Sequence, residues 1–351
     1  MSIPEGRADS QTPIISVCIP SYNRTEKLRR CLNSVLPQIP DKPVEVVVID
    51  DASPDPRCAE VAEGFLSQYP GLRVIRNEKN LGYAGNQSKC VEVSRGRYTA
   101  ILCDDDVYAP NAIDTMLPIL SEGNYSFVAL NYYSFDTDPG VVAGVPVASE
   151  TSFERERGYD ILDYPSVGHT SGFVLNTRVA QQVLERAWNT FTPAEHKRFR
   201  GILAITLPAY VVKESPLPGY FIGQRIVGAC RPETVDYDNL PHICMDCYQI
   251  IHTLKAKGLL TQKDIQRREN EILGMLPRGL VRDGGFLDHA GYEHVNKTLR
   301  AWFEGDPRFK KASRILSCLR FGLVRFIFRL VARTYLILHG RGQRLQRKRT
   351  S

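Results

Sequence analysis

From Arg308 to the C-terminus the chain has no aspartate and no glutamate, while 13 lysines and arginines fall in the same stretch. The residues before it carry 32 basic and 39 acidic side chains, a net of −7 that the whole-chain value of +6 conceals. A mildly acidic body therefore carries a basic tail. Other absences narrow the function. No GxxxxGK[ST] and no GxGxxG is present, so phosphate-loop kinases and dinucleotide-dependent dehydrogenases lose their binding device. The first 13 residues have neither a basic segment nor an apolar one, so no secretory signal is expected and the body should stay on the cytosolic side. The nine cysteines are odd in number and irregularly spaced, and Cys18 and Cys103 sit in apolar runs. That pattern predicts reduced thiols rather than a disulfide framework. HICMDC (242–247) offers His242, Cys244 and Cys247 but no second CxxC, short of the four ligands of a structural zinc site. Internal repeats and low-complexity tracts are also missing.

What is present reads as alternating strands and helices. The 351 residues suffice for one large α/β domain or two smaller ones. Apolar runs at 14–19, 44–50, 72–77 and 97–103 predict strands, and 25–36, 57–68 and 83–95 predict helices. Thr25 is a candidate N-cap for the first helix. Near-continuous apolar strands between helices indicate a mostly parallel sheet covered on both faces. Strands are further expected at 126–135 and 171–176, a helix at 178–188, and a mainly helical region over 242–303.

In such sheets, ligands bind beyond the carboxyl ends of the strands. Three polar clusters fall there: Pro20–Arg24, Asp50–Ser53 and Asp104–Asp106. The last is the most telling, because AILCDDDVYAP runs a buried-looking strand into three adjacent carboxylates. Such neighbours raise one another's pKa unless water or a cation offsets the repulsion. In an extended stretch Asp104 and Asp106 face one way and Asp105 the other. A lone Asp there is a solvated turn, and Asp50-Asp51 alone reads as an Asx turn. Together, carboxylate clusters at two strand ends suit a hard divalent cation bound with phosphate oxygens.

Four segments occur in order: ISVCIPSYNRTEKLRRCLNSVL, VEVVVIDDASPD, NEKNLGYAGNQSKCVEVSRGRY and AILCDDDVYAPNAI. They resemble the nucleotide-sugar-binding half of family 2 glycosyltransferases, which have the GT-A fold. The Asp triplet looks most like bacterial members that build O-antigen or capsule sugars, including abequosyltransferase-like proteins. The resemblance implies an α/β GT-A, Rossmann-like domain with a C-terminal helical extension. The resemblance covers about residues 14–120; with the residue patterns it gives expected segments at 1–13 (flexible), 14–123 (donor half), 124–237 (acceptor half), 238–306 (helical extension) and 307–351 (basic amphipathic tail).

It also implies roles. Pro20, Ser21 and Tyr22 would line the base pocket, and Asp51 would accept a hydrogen bond from the base, usually uracil. Arg24, Asn86 and Asp104 would border the nucleotide. Asp105 would hold Mn²⁺ or Mg²⁺ on the diphosphate, with Asp106 as an additional participant, because Cys103 stands where the family commonly has Asp. Transfer would go from a nucleoside-diphosphate sugar, UDP-linked by resemblance, to a hydroxyl of a glycan or lipid-linked acceptor with inversion. Glu195 in TPAEHKRF is the expected general base, with Asp160, Asp163 and His169 as alternatives. The processive-synthase signature QxxRW is absent, which favours addition of single sugars. A rival reading is a non-catalytic GT-A-like binding or scaffold protein; a nucleotidyltransferase lacks its Gly-rich loop here. In the tail, Arg325, Arg329 and Arg333 share a helical stripe among apolar residues. That pattern suggests an interfacial helix on an anionic membrane, peripheral to the cytoplasmic face, rather than a nucleic-acid-binding arm.

Overall fold

The computed structural model describes residues 12–144, 150–156, 169–187, 192, 207, 211–212, 214–230, 245, 248–249, 251–253, 255–256, 262–283, 287 and 289–338. The chain forms two compact units, Met1–Arg231 and Pro232–Ser351. The expected division at 237/238 lies outside the described residues.

In the first unit, strands β1 (Ile15–Ser21), β2 (Val44–Asp50), β3 (Leu72–Arg76) and β4 (Tyr98–Ile101) alternate with helices α1 (Thr25–Val35), α2 (Arg57–Glu63) and α3 (Gly82–Val93). All seven residues of β2 are buried, as expected for an inner strand. Helix α1 buries Leu28, Cys31, Leu32 and Val35, the i, i+3, i+4, i+7 face. Thr25 is not its cap. Arg24 holds that position without a side-chain cap bond, and the Thr25 hydroxyl lies 3.2 Å from Cys58 Sγ. Then follow β5 (Val107–Tyr108), α4 (Ala112–Glu122), β6 (Phe127–Phe135), β7 (Val142–Gly144), β8 (Phe153–Arg155), β9 (Phe173–Asn176), α5 (Thr177–Ala187) and β10 (Gly219–Cys230).

These strands make one mixed sheet ordered β3-β2-β1-β4-β9-β6-β10-β5, with β7 on β6 and β8 on β10. The longer ladders, β1–β2, β2–β3 and β6–β10, are parallel. Strands of the expected donor and acceptor halves thus share a single sheet. Strand β9 runs antiparallel to both β4 and β6. Its reversal matters for function. The chain enters β9 at the sheet edge where β1, β2, β4, β6 and β10 end, so residues just before β9 meet the residues just after β4. The core beneath this edge is continuous from Ile15 and Val46 to Leu130 and Val227.

The second unit contains α6 (Gln262–Asp283), α7 (His289–Phe303), α8 (Lys310–Leu319) and α9 (Gly322–Leu338). Its core joins Ile272, Leu276, Val295 and Leu299 with Phe309, Ala312, Leu316 and Leu319. Residues 307–319, expected as the start of a separate tail, are therefore part of this helical core. The apolar i, i+4, i+7 spacing of Ala312, Leu316 and Leu319 buries one face of α8 despite its lysines and arginines. Among the described residues, no helix is long and apolar enough to cross a membrane.

Candidate active site

The three polar clusters meet at one sheet edge. Ser21 ends β1, Asp50 ends β2, and Asp104 begins three residues after β4. Ser21 Oγ donates to Asp104 Oδ2 at 2.8 Å, linking the first cluster to the third. Arg24 Nη1 reaches both Asp104 Oδ1 and Asp105 Oδ2 at 3.0 Å. Lys27 Nζ stands 3.9 Å from Asp105 Oδ2, and Arg30 donates to the Asp105 carbonyl at 2.7 Å. Arg24 at the cap of α1, with Lys27 and Arg30 within it, thus brings three cations to the triplet.

The triplet divides as strand alternation predicts. Asp104 and Asp106 are buried, whereas Asp105 has a quarter of its side chain exposed. Burial pushes the Asp104 carboxyl up to about 6, against the opposing pull of Arg24. Asp106 is also raised by burial, with His169 opposing. Its oxygens are engaged by the protein: Ser171 Oγ donates at 2.5 Å, Cys230 N–H at 2.8 Å, and His169 Nε2 lies 3.3 Å away. Ser171 also accepts from Cys103 N at 2.9 Å. Ser171 lies in the SVGHTSG loop (166–172), expected from its position alone to touch acceptor, whereas Cys230 is a site residue that no sequence pattern marks. They arrive through the reversed β9 and the carboxyl end of β10.

Cys103, Asp105 and Asp106 place one ligand atom each within 4.8 Å of one another. Burial and the two carboxylates hold the Cys103 thiol well above its usual pKa, so it stays protonated and is a poor ligand for a hard cation. The outward carboxylate of Asp105 has the right chemistry for Mg²⁺ or Mn²⁺, with Asp106 behind it. This donor set fits an ion that takes one or two carboxylates and fills its remaining positions with water and phosphate oxygens.

Asp51 organises the neighbouring loop. Its Oδ1 accepts from Asn77 Nδ2 and Leu81 N at 2.8 Å, and its Oδ2 from Gly82 N at 2.9 Å. Gly82 has φ +73°, a conformation that glycine adopts without strain. Asn86 is buried behind Asp51, accepting from Asn77 at 3.0 Å and donating to the Ile49 carbonyl at 3.0 Å. Asp50 pairs with Arg76 and Ser53. Asn23 and Ala52 both hold left-handed φ, 55° and 56°, and Asn23 N donates to Ser53 Oγ at 2.8 Å. For Ala52 that conformation is costly, and such strain gathers at functional loops. Pro20 lies in β1 opposite Ile49, and Tyr22 is exposed just beyond it. Tyr83 is exposed too, with its hydroxyl 2.8 Å from Thr170 Oγ1. Glu195, Asp160 and Asp163 lie outside the described residues, as do His242, Cys244 and Cys247; of the expected base candidates, His169 is described.

Residues 16–183 match the family model for glycosyl transferase family 2. The chain is 44% identical over 104 residues to an uncharacterized Mycobacterium tuberculosis protein, covering 30% of this chain and 31% of that protein. It is 31% identical over 127 residues to the glycosyltransferase GlyG of Streptococcus pneumoniae, covering 36% and 42%. It is 29% identical over 119 residues to WfgD of Escherichia coli, a UDP-Glc:alpha-D-GlcNAc-diphosphoundecaprenol beta-1,3-glucosyltransferase, covering 34% and 46%. The chain thus spans under half the length of these relatives. In fold it is similar to Staphylococcus aureus TarS 1-349, solved in complex with UDP-GlcNAc, with TM-score 0.59, 16% identity, and 92% and 91% of the two chains covered. The match to glycosyl transferase family 2 thus covers just under half of the chain, and the fold is an α/β GT-A-like one.

Proposed function

We propose that this family 2 protein transfers a sugar from a nucleoside diphosphate to an acceptor hydroxyl with inversion. The observation that carries this reading is the convergence of Ser21–Arg24, Asp51 and Asp104–Asp106 at one sheet edge, with α1 cations directed at the triplet. Tyr22, Pro20 and Asp51 form the base side. Arg24, Asn86 and Asp104 support the nucleotide. Asp105, backed by Asp106, holds Mn²⁺ or Mg²⁺. When bound there, the cation supplies Lewis-acid stabilisation to the departing diphosphate.

The chain's own residues do the rest. Arg24 and Lys27 add positive charge where the leaving group gains negative charge. The bond from the anomeric carbon to the diphosphate oxygen breaks, and its electron pair leaves with the diphosphate. The acceptor oxygen bonds the same carbon from the opposite face and gives its proton to a base. We assign that base to Glu195 on the family resemblance. His169, beside Asp106, is the described alternative.

The UDP-sugar and the diphosphoundecaprenol-linked acceptor in the name of WfgD favour a UDP-linked donor and a lipid-linked acceptor here. The UDP-GlcNAc held by TarS agrees in nucleotide. A role in bacterial surface-polysaccharide synthesis, at the cytoplasmic face, follows from that acceptor class. The Asp triplet gives the abequosyltransferase-like subtype as the narrower reading. The test is a thermal-shift screen of nucleotide sugars with Mn²⁺, followed by product analysis of any hit. Stabilisation by one donor class and anomeric inversion in the product support the reading. A nucleotide-induced shift without transfer to any hydroxyl acceptor leaves the non-catalytic scaffold in its place.

A further inference from the structure

Over Gly322–Val331, helix α9 packs Phe328 on the helical core but leaves much of its apolar surface outward. Its half-buried side carries Val324, Arg325, Phe328 and Arg329. Arg325 donates to the Leu319 carbonyl at 2.7 Å, and its guanidinium lies 5.3 Å from the centre of the Tyr292 ring. Its outer side carries Leu323, Phe326, Ile327, Leu330 and Val331, each between 46% and 71% exposed. These five apolar side chains form one continuous strip over more than two turns. Surface helices normally turn such a strip inward. Arg325 and Arg329, which the sequence suggests as part of an outward stripe, are thus half-buried, and the exposed stripe over Leu323–Val331 is apolar.

The surroundings specify what covers it. Lys310, Lys311, Arg314 and Arg320 are exposed on the same unit, and Arg320 stacks over Phe321 at 4.4 Å. The sequence beyond Leu338 adds Arg341, Arg344, Arg347, Lys348 and Arg349, and no acidic residue occurs after Asp306. A second copy meeting this strip would bring the same positive charge against itself. Nucleic acid would satisfy the charge but leave five apolar side chains in water. An anionic bilayer surface takes both, with apolar groups below the headgroups and basic groups among them.

We infer that α9 docks the protein on an anionic lipid surface through Leu323, Phe326, Ile327, Leu330 and Val331, with the flanking lysines and arginines pairing with lipid phosphates. This goes beyond the transfer reaction and does not depend on it. It brings the active unit to the surface where a lipid-linked acceptor resides.

The test uses the full chain and vesicles of phosphatidylcholine, with or without phosphatidylglycerol. Co-sedimentation should require the anionic lipid and fall as salt is raised from about 0.1 M to about 1 M. Phe326→Ser/Leu330→Ser should lower the bound fraction at least about tenfold without changing circular dichroism, because both side chains are exposed. Arg344→Gln/Arg347→Gln/Arg349→Gln should weaken binding and flatten its salt dependence. Three results overturn the inference: a full chain that ignores anionic vesicles, a serine variant that binds as well as the parent, or a lipid-free dimer that the serine variant dissociates. The last identifies the strip as a self-interface. Donor hydrolysis by the same variants without lipid reads the chemistry separately, so failure at the membrane is distinguishable from failure of the transfer assignment.

Discussion

Arg24 Nη1 stands 3.0 Å from Asp105 Oδ2, at the outward carboxylate of the triplet. The same nitrogen is 3.0 Å from Asp104 Oδ1, so one guanidinium spans two adjacent carboxylates. It supplies the cation that three neighbouring aspartates require in the free protein. Donor binding must then share Asp105 between Arg24 and a divalent ion. The side chain is partly exposed, so the exchange needs no rearrangement of the core.

Asp105→Asn should therefore abolish transfer, by at least about a hundredfold, while leaving the melting temperature within a few degrees. The change keeps volume and removes the charge a hard cation needs. Turnover assayed over a Mn²⁺ titration checks it. Near-parental turnover would remove Asp105 from the metal site.

Asp106→Asn should behave differently. Asp106 accepts from Ser171 Oγ and from Cys230 N–H, which joins the ends of β4, β9 and β10. An amide nitrogen must face one of those donors and leave it unsatisfied. The cost is about 1–3 kcal/mol of stability. Denaturant unfolding should show the loss; a variant as stable as the parent but inactive would give Asp106 a direct role at the ion instead.

Asp104 gives a pH prediction. Its folded-state pKa is pushed up to about 6 from 3.8, chiefly by burial. The native state thus holds this proton more tightly than the unfolded chain. Its contribution to stability is present below about 3.8 and is lost as pH rises through about 6. At neutral pH the ionised group is a liability on the order of 3 kcal/mol at most. Asp104→Asn should flatten the pH slope of the melting temperature between about pH 4 and 6.5 while weakening nucleotide binding. Melting curves across that range decide it, and an unchanged slope removes Asp104 as the titrating group.

Local pattern carried much of this site into view. The seven residues of VEVVVID are apolar or paired, so β2 was legible from its run, and the carboxyl-end rule pointed to Ser21, Asp51 and Asp104 without coordinates. Strand β10 was not legible. Gly219, Gly223 and Gly228 dilute its apolar pattern, Gln224 and Arg225 interrupt it, and its register shifts around Arg225. Cys230 was hidden for a topological reason: nothing local records that β10 ends beside the segment that follows β4. The tail divided wrongly because composition averages over faces. Lysines and arginines are the only charged residues of 308–320, while Phe309, Leu316 and Leu319 are buried among other helices.

Asp51 and Tyr22 should separate binding from folding. Asp51→Ala removes the acceptor for three donors, from Asn77, Leu81 and Gly82. Both nucleotide affinity and stability should fall, the latter by about 2–4 kcal/mol, since those donors lose a charged partner. Tyr22→Ala changes an exposed ring and should weaken binding alone. Calorimetry with UDP beside urea unfolding checks both. An unchanged dissociation constant in both variants would remove the base-pocket assignment.

Truncation tests the boundary within the basic region. A chain ending at Asp306 loses Phe309, Ala312, Leu316 and Leu319, which pack with Leu276, Val295 and Leu299. Removing one such leucine side chain typically costs about 2–5 kcal/mol, so deleting four core residues should unfold the helical unit. A chain ending at Phe321 keeps them and loses α9, whose outer strip is already exposed. It should retain the helical unit's cooperative unfolding and also lose anionic vesicle binding. Circular dichroism and limited proteolysis of the two truncations provide the comparison. If the chain ending at Asp306 keeps a protease-resistant helical unit, α8 is dispensable and its buried face contributes little; if the chain ending at Phe321 unfolds as well, α9 belongs to the core and its apolar strip is not a spare surface.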